Sequence, residues 1–560
     1  MTAKHLVLLG GGHSHVEVLR SFGQTARRNH TAGPPGGPDG AAGAGLASGD
    51  RTGFGAGASA LEKCKNAPQE AQERQPHHRQ QESHHRLTLI SRGRFTPYSG
   101  MLPGWASGFY SYGDCHIDLQ LLASYAGAGL VLAEAKGIDI WARTVCFSDD
   151  HDDGDGPGQT MPPQQQQQPV PYDVLSIDVG ITPESAGVPG ADQYATPVKP
   201  IDGFVQRYEQ LLERYRAAAA TAAMAAASTG AVKAKAKGGG DAKGLPSEPV
   251  MRVCIIGGGA GGVELAAAVR YRLEEERHRG GWDADQAAVT VSLLCRGGLL
   301  PGHPPHVRRL VRQLLTQRGV DVRSGDAVTG VQPGELLLES GGRVSYDECL
   351  WCTEASPAAW LRRTGLPTDP RGFLAVDQQL QSEGGPPEVF AAGDVASCAA
   401  HPRPKAGVYA VRQGPPLAAN LRAYLEGQPL RTFVPQETAL ALISLGDRFC
   451  VASRTAGPEY GRGRRRRGTA GGAAGGGGIS RTQYDSTIGG TAAPGDAVGE
   501  GYGGEEAGEW LVGWLLNGFG GLLVGLTGPL LWRWKDSIDR AFMRKYGEDL
   551  LKDERGGTRM

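Results

Sequence analysis

Charge of neither sign is in excess: the 560 residues carry 58 Lys and Arg against 59 Asp and Glu, a formal net charge of −1. Without a basic surplus there is no electrostatic footprint for nucleic acid, so small molecules are the expected partners. The nine cysteines, at 64, 115, 146, 254, 295, 349, 352, 398 and 450, lack the regular spacing of a secreted disulfide framework, which points to a reducing compartment. The one close pair, Cys349 and Cys352, falls in the apolar run Glu348-Cys-Leu-Trp-Cys-Thr353, which reads as a strand. Residues three apart on a strand face opposite sides, so neither a disulfide nor a metal site is expected there. No leader is expected either. The strand-like run His5 to Leu9 leads straight into a glycine cluster, so the sequence reads as an intracellular protein with no N-terminal targeting peptide.

Glycine is what the chain has in quantity, with 86 residues and no matching rise in Leu or Val. Four segments look foreign to any core: Gln24 to His85, Asp149 to Pro169, Ala217 to Pro249, and Thr455 to Gly508 with its Arg464–Arg467 run. Such compositions bury too little apolar surface to offset the entropy of ordering them, so disordered surface insertions are expected. The alanines after Arg216 can prolong a helix begun near Phe204. With these segments set aside, strands at Leu6–Leu9, Leu87–Ile90, Leu130–Ala133, Val253–Ile256 and Val289–Cys295 alternate with helices such as Val263–Arg277. The expected class is α/β, with parallel sheets and ligands at the carboxyl ends of strands.

Two glycine motifs follow such strands. In Val253-Cys-Ile-Ile-Gly257-Gly-Gly259-Ala-Gly-Gly262-Val-Glu264, Gly257 permits a tight turn, Gly259 admits a pyrophosphate, and Gly262 lets helix and strand pack closely. The helix start then offers free N–H groups to phosphate. In Leu6-Val-Leu-Leu-Gly10-Gly-Gly12-His13-Ser14-His15-Val-Glu17 the third glycine is replaced by His15, so either helix and strand separate or the imidazole fills a cleft. Two such motifs imply two nucleotides, a flavin and a nicotinamide. A third feature, Val389-Phe-Ala-Ala-Gly393-Asp394, ends a strand with a close-approach glycine and a carboxylate suited to a polyol such as ribityl.

Together these motifs resemble the FAD-dependent pyridine nucleotide-disulfide oxidoreductase superfamily. Within it the chain is similar to the type II NADH dehydrogenase-like branch, especially the flavoprotein module found fused to selenide, water dikinase. That closer likeness is carried by Gly10–His15, Phe95-Thr-Pro-Tyr-Ser-Gly-Met-Leu-Pro-Gly104, Asp114-Cys-His-Ile-Asp-Leu119, Leu299-Leu-Pro-Gly-His303 and Trp532-Arg-Trp-Lys-Asp536.

The resemblance implies two Rossmann-like domains, the second inserted in the first. The FAD domain would run over 1–200, interrupted by insertions 24–85 and 149–169, and resume over 370–454. The NAD(P)H domain would occupy 250–369, followed by an insertion at 455–508 and a C-terminal segment at 509–560. It implies that Asp394 holds the flavin's ribityl and phosphate region, that the helix start Lys405 to Gln413 and Gly414 faces the ring, and that Tyr98-Ser99-Gly100 lies beside it. Departures are visible. Ser91 and Arg92 stand where a ribose-binding acid is usual, and Arg296 where an NADH-selective protein carries an acid. No Cys-x4-Cys faces the flavin, Cys115 stands alone, and Val408-Tyr409 replaces the Ala-Gln pair of quinone-reducing members.

The expected activity is transfer of hydride from NADH or NADPH to FAD, then of electrons to a quinone or another small acceptor, with no single indispensable acid or base. The alternatives are reduction of a soluble selenium or sulfur compound, or a flavin-binding scaffold without turnover. From Trp510 to Trp534 the only charge is Arg533, and tryptophans bracket a leucine-rich run. This segment reads either as a membrane-associating element or as a cap packed on the FAD domain.

Overall fold

The computed structural model describes residues 3–31, 85–147, 168–183, 185, 187–228, 248–455 and 523–556. Ten strands form its two main sheets: β1 His5–Leu9, β2 Arg86–Ser91, β3 Gly129–Leu132, β4 Val174–Ile177, β5 Thr196–Pro197, β6 Met251–Ile256, β7 Val289–Cys295, β8 Val320–Ser324, β9 Glu348–Trp351 and β10 Val389–Ala391. The first sheet has the order β10-β4-β1-β2-β3 and the second β5-β9-β6-β7-β8. Every pairing in both is parallel. All strands of the second sheet lie in sequence between β4 and β10 of the first, so one α/β unit is inserted in the other.

Parallel sheets are covered on both faces, which is why their strands read as unbroken apolar runs. No residue from Leu6 to Leu9 is more than 2% exposed. The principal helices are α1 His13–Thr31, α2 Ile201–Ser228, α3 Ala260–Gly280, α4 Pro305–Gln317, α5 Gly407–Glu426 and α6 Pro529–Lys545. β1 delivers the chain to α1, and β6 delivers it to α3.

Helix α1 corrects one expected boundary. It continues to Thr31, so residues 24–31 are helix and not the start of an insertion. Its second half has a partner, because the Arg27 guanidinium lies 4.2 Å from the centre of the Tyr125 ring. Helix α2 does run on through the alanines, to Ser228. Apart from their edges, the four foreign-looking segments, the Arg464–Arg467 run included, lie outside the described residues, as do residues 510–522.

A small antiparallel sheet, β11 Leu440–Ser444, β12 Cys450–Arg454 and β13 Thr527–Gly528, leads into α6. This last long helix fastens distant parts of the first unit. Lys535 donates to the Gly100 carbonyl at 2.6 Å and pairs with Asp539 at 2.5 Å. Tyr110 donates to Asp536 at 2.7 Å, and Tyr546 to Glu17 of α1 at 2.6 Å. Among the described residues no helix is long and apolar enough to cross a membrane.

Candidate functional site

The two glycine turns are built alike, each crossing the end of a neighbouring strand. Gly10 has φ +102°, and a Cβ there would lie 2.3 Å from the Asp178 carbonyl oxygen; Gly257 has φ +128°, and its Cβ would lie 2.0 Å from that of Cys352. Left-handed backbone and close approach together leave room for glycine alone. A Cβ on Gly262 would meet the Gly257 carbonyl at 1.9 Å, whereas nothing lies within 4 Å of one on Gly259. The packing glycine is hemmed in and the phosphate-facing glycine is open, as the motif requires.

At the corresponding place in the first unit the imidazole of His15 fills the space. Its Nδ1 lies 2.7 Å from the Gly10 carbonyl and its Nε2 2.8 Å from the Ser176 hydroxyl. Burial pushes its pKa down to about 4, so the ring is neutral. The carbonyl can only accept, which places the proton on Nδ1 and leaves Nε2 to accept from Ser176.

A cavity of about 350 Å³ opens between this turn and Asp394. Its lining includes Gly10, Gly12, His13, Ser91, Arg92, Ser99 and Asp394 from the expected set, together with Gly407 and Ala410 at the start of α5. No side chain caps α5, so its first N–H groups are available to negative charge. His13 is held neutral, its pKa pushed down to about 4 by burial, and its Nε2 is buried without a partner. Gly393 (φ +73°) donates its N–H to Gln413 Oε1 at 2.6 Å, which fixes the turn that presents Asp394. Lys405 donates to the Ala396 carbonyl beneath that turn, 4.1 Å over the Phe373 ring, and burial lowers its pKa to about 8.

Three groups escaped the sequence reading. Lys199 pairs with Asp394 at 3.3 Å. Asp178, following β4, enters the cavity wall and accepts the N–H groups of Ser14 at 2.9 Å and His15 at 3.2 Å. Glu134, following β3, stands at the rim 3.8 Å from Arg92, on the strand adjacent to β2, whose end carries no carboxylate.

Other expected site residues point elsewhere. The Ser14 hydroxyl donates to Ala410 at 2.8 Å and ties α1 to α5. Tyr98 stacks on Phe542 at 4.4 Å with its hydroxyl on Asp539, and the Gly100 carbonyl is taken by Lys535. Glu264 faces β11, where it accepts the Ser444 N–H at 2.9 Å, and burial raises its pKa to about 7. In each case the phase of the helix or turn, which the motif does not specify, turns the polar group toward another partner. Arg296 ends β7 in the open, 80% exposed and 3.9 Å from Glu354. Cys115 is free and buried, its thiol pushed up to about 12, and Cys349 and Cys352 are free as well.

Residues 77–414 match the family described as pyridine nucleotide-disulphide oxidoreductase. The chain belongs to that family. It is 25% identical over 294 residues to the type II NADH:quinone oxidoreductase of Haemophilus influenzae, covering 51% of this chain and 63% of that one. An NADH dehydrogenase-like protein of Mycobacterium tuberculosis is 27% identical over 291 residues, with 50% and 59% covered. The demethylphylloquinone reductase of Synechocystis is 30% identical over 187 residues, with 32% and 43% covered. The chain thus spans about three-fifths of the length of the first two relatives. Among solved structures, NDH2 of Plasmodium falciparum in complex with NADH shares the fold at 14% identity and a TM-score of 0.56, covering 82% of this chain and 92% of that one.

Proposed function

We propose that this chain is a flavoprotein oxidoreductase that takes hydride from NADH or NADPH and passes the electrons to a quinone. The observation that carries this reading is the pairing of two alike glycine turns in one chain, one opening a cavity that ends at Gly393-Asp394 and the bare start of α5. The residues present fit FAD. Gly10 and Gly12 bring bare backbone at the start of α1 to the cavity wall, where a diphosphate would share the helix end with the Asp178 carboxylate, Asp394 and Lys199 offer an acceptor and a donor to a polyol, and His13 holds an unsatisfied buried nitrogen. Glu134 is placed to accept ribose hydroxyls. When bound, the flavin supplies the redox chemistry; the chain orients it and provides N–H groups at α5 where charge develops. The second turn, with Gly259 open above α3, is the nicotinamide nucleotide site.

Quinone as acceptor is supported by the names of the Haemophilus and Synechocystis relatives. Attachment to a membrane surface, where a quinone is met, is supported by Leu526 and Leu530, which are 50% and 75% exposed at the head of α6. The test is direct. Purified protein should be yellow and bleach within seconds of adding NADH or NADPH, and a quinone should restore the colour. Yellow protein that fails to bleach would leave a flavin-binding scaffold as the reading.

A further inference from the structure

We propose that Asp178 couples flavin binding to the uptake of one proton: its carboxylate occupies the helix end where the cofactor's diphosphate must sit, and it takes a proton from solvent as FAD enters and returns it as FAD leaves. The proposal rests on the flavin assignment above.

Asp178 is only 4% exposed. It bonds the N–H groups of the second and third residues of α1, the pair an N-cap side chain normally serves. Gly12, which precedes the helix, has no side chain for this, and a Cβ there would lie 2.2 Å from the Asp178 carboxyl carbon. The other side of the carboxylate abuts the second turn, since a Cβ on Gly393 would lie 2.1 Å from Asp178 Oδ1. The helix is therefore capped from a different strand, by a group wedged between the two glycine turns of the flavin site. The inserted unit shows that the fold does not demand an acid here. Its equivalent residue, by the same carbonyl contact to the turn glycine, is Cys352, a neutral thiol.

The charges around Asp178 do not compensate it. From the turn after β10 comes Asp394, a like charge already paired with Lys199. From α1 come His13 and His15, both neutral. Lys405, at the start of α5, interacts with Asp394 and donates to Ala396. Burial, helped by Asp394 and opposed by the two amide bonds and by the Ser14 hydroxyl beside it, raises the Asp178 pKa to about 7. A diphosphate arriving at the same helix end raises it further. Binding and protonation then favour each other, and flavin affinity falls as pH rises above about 7, by up to about tenfold per pH unit.

The dissociation constant for FAD, read from flavin fluorescence as the full-length flavoprotein is diluted between about pH 6 and about pH 9, should weaken steadily above neutrality. Asp178→Asn keeps an oxygen for the two N–H groups but carries no charge, and its profile should be flat up to about pH 8, where Lys405 begins to lose its own proton. A flat wild-type profile, or a slope below about pH 8 that survives in Asp178→Asn, overturns the proposal. Proton uptake can also be counted without a variant. FAD added back to stripped full-length protein in weak buffer with an indicator dye at about pH 8 should take up about one proton per flavin, and none taken up overturns it equally. A chain that binds no FAD at any pH would instead refute the flavin assignment.

Discussion

The Nδ1 of His15 donates to the carbonyl oxygen of Gly10 at 2.7 Å, in the place where the second unit has Gly262 pressed against Gly257. One turn is closed by the absence of a side chain and the other by a hydrogen bond from one. Replacing His15 by Ala should therefore empty a buried site and leave Ser176 unpaired, at a cost of about 2–4 kcal/mol. Urea unfolding checks this, and a loss below about 0.5 kcal/mol would mean that the ring does not close the turn.

The same residue sets a pH dependence. Its folded pKa of about 4 lies below the ordinary 6.5, so the unfolded chain binds the extra proton between those values. Its stabilising effect is whole above about pH 6.5 and drains away as pH falls toward 4. Asp178 and Glu264, whose pKa values are raised, act in the opposite sense, so the comparison must isolate His15. The stability of wild type minus that of His15→Gln should shrink across this window, and a constant difference would contradict the neutral ring.

Asp394 offers the flavin site its carboxylate with Lys199 beside it at 3.3 Å. Asp394→Ala should weaken FAD binding by about 1.5–3 kcal/mol, roughly tenfold to a hundredfold, so the folded protein purifies largely colourless. Normal flavin content in a folded Asp394→Ala protein would remove this residue from the site.

Arg296 follows the strand after the second glycine turn, where a 2′-phosphate would be met, and its acidic neighbour Glu354 is 70% exposed and 3.9 Å away. NADPH should serve at least as well as NADH. Arg296→Ala should lower kcat/KM for NADPH by about 1 kcal/mol, roughly fivefold, leaving NADH nearly unchanged. A strong NADH preference that persists in Arg296→Ala would reject the role.

Membrane attachment should be tested at the exposed leucines. Removing residues 510 to 560 would also strip Lys535 from Gly100, Asp536 from Tyr110 and Tyr546 from Glu17. The double variant Leu526→Ser and Leu530→Ser should instead lose sedimentation with anionic liposomes and keep its flavin. Full-length protein that ignores liposomes would refute attachment.

The two sheets and their turns were legible because glycine sterics and parallel strands leave plain marks: an apolar run, then glycines at fixed spacing. Asp178, Lys199 and Glu134 were not, since each reaches the cavity through strand order and sits far in sequence from any motif. Asp178 did leave a trace, a carboxylate closing the buried run Val-Leu-Ser-Ile, which a strand centre would not tolerate. Ser14, Tyr98, Gly100 and Glu264 show the converse: adjacency to a motif does not fix which way a group points. The boundary at Gln24 was misplaced because composition measures burial poorly where one arginine stacks on a tyrosine.

The grip of α6 on Gly100, Tyr110 and Glu17 has a consequence for biosynthesis. A ribosome releases β5 to β9 of the inserted unit before it makes β10, α5 or α6, so that unit can close while still tethered. The first unit, begun earliest, must wait with β4 unpaired on one side until β10 emerges, and with Gly100, Tyr110 and Glu17 unfastened until the last helix does. Flavin capture is thereby deferred until Gly393, Asp394 and α5 have been made, and ribosome-bound chains halted before Val389 should expose the β4 edge to chaperones that released chains do not engage.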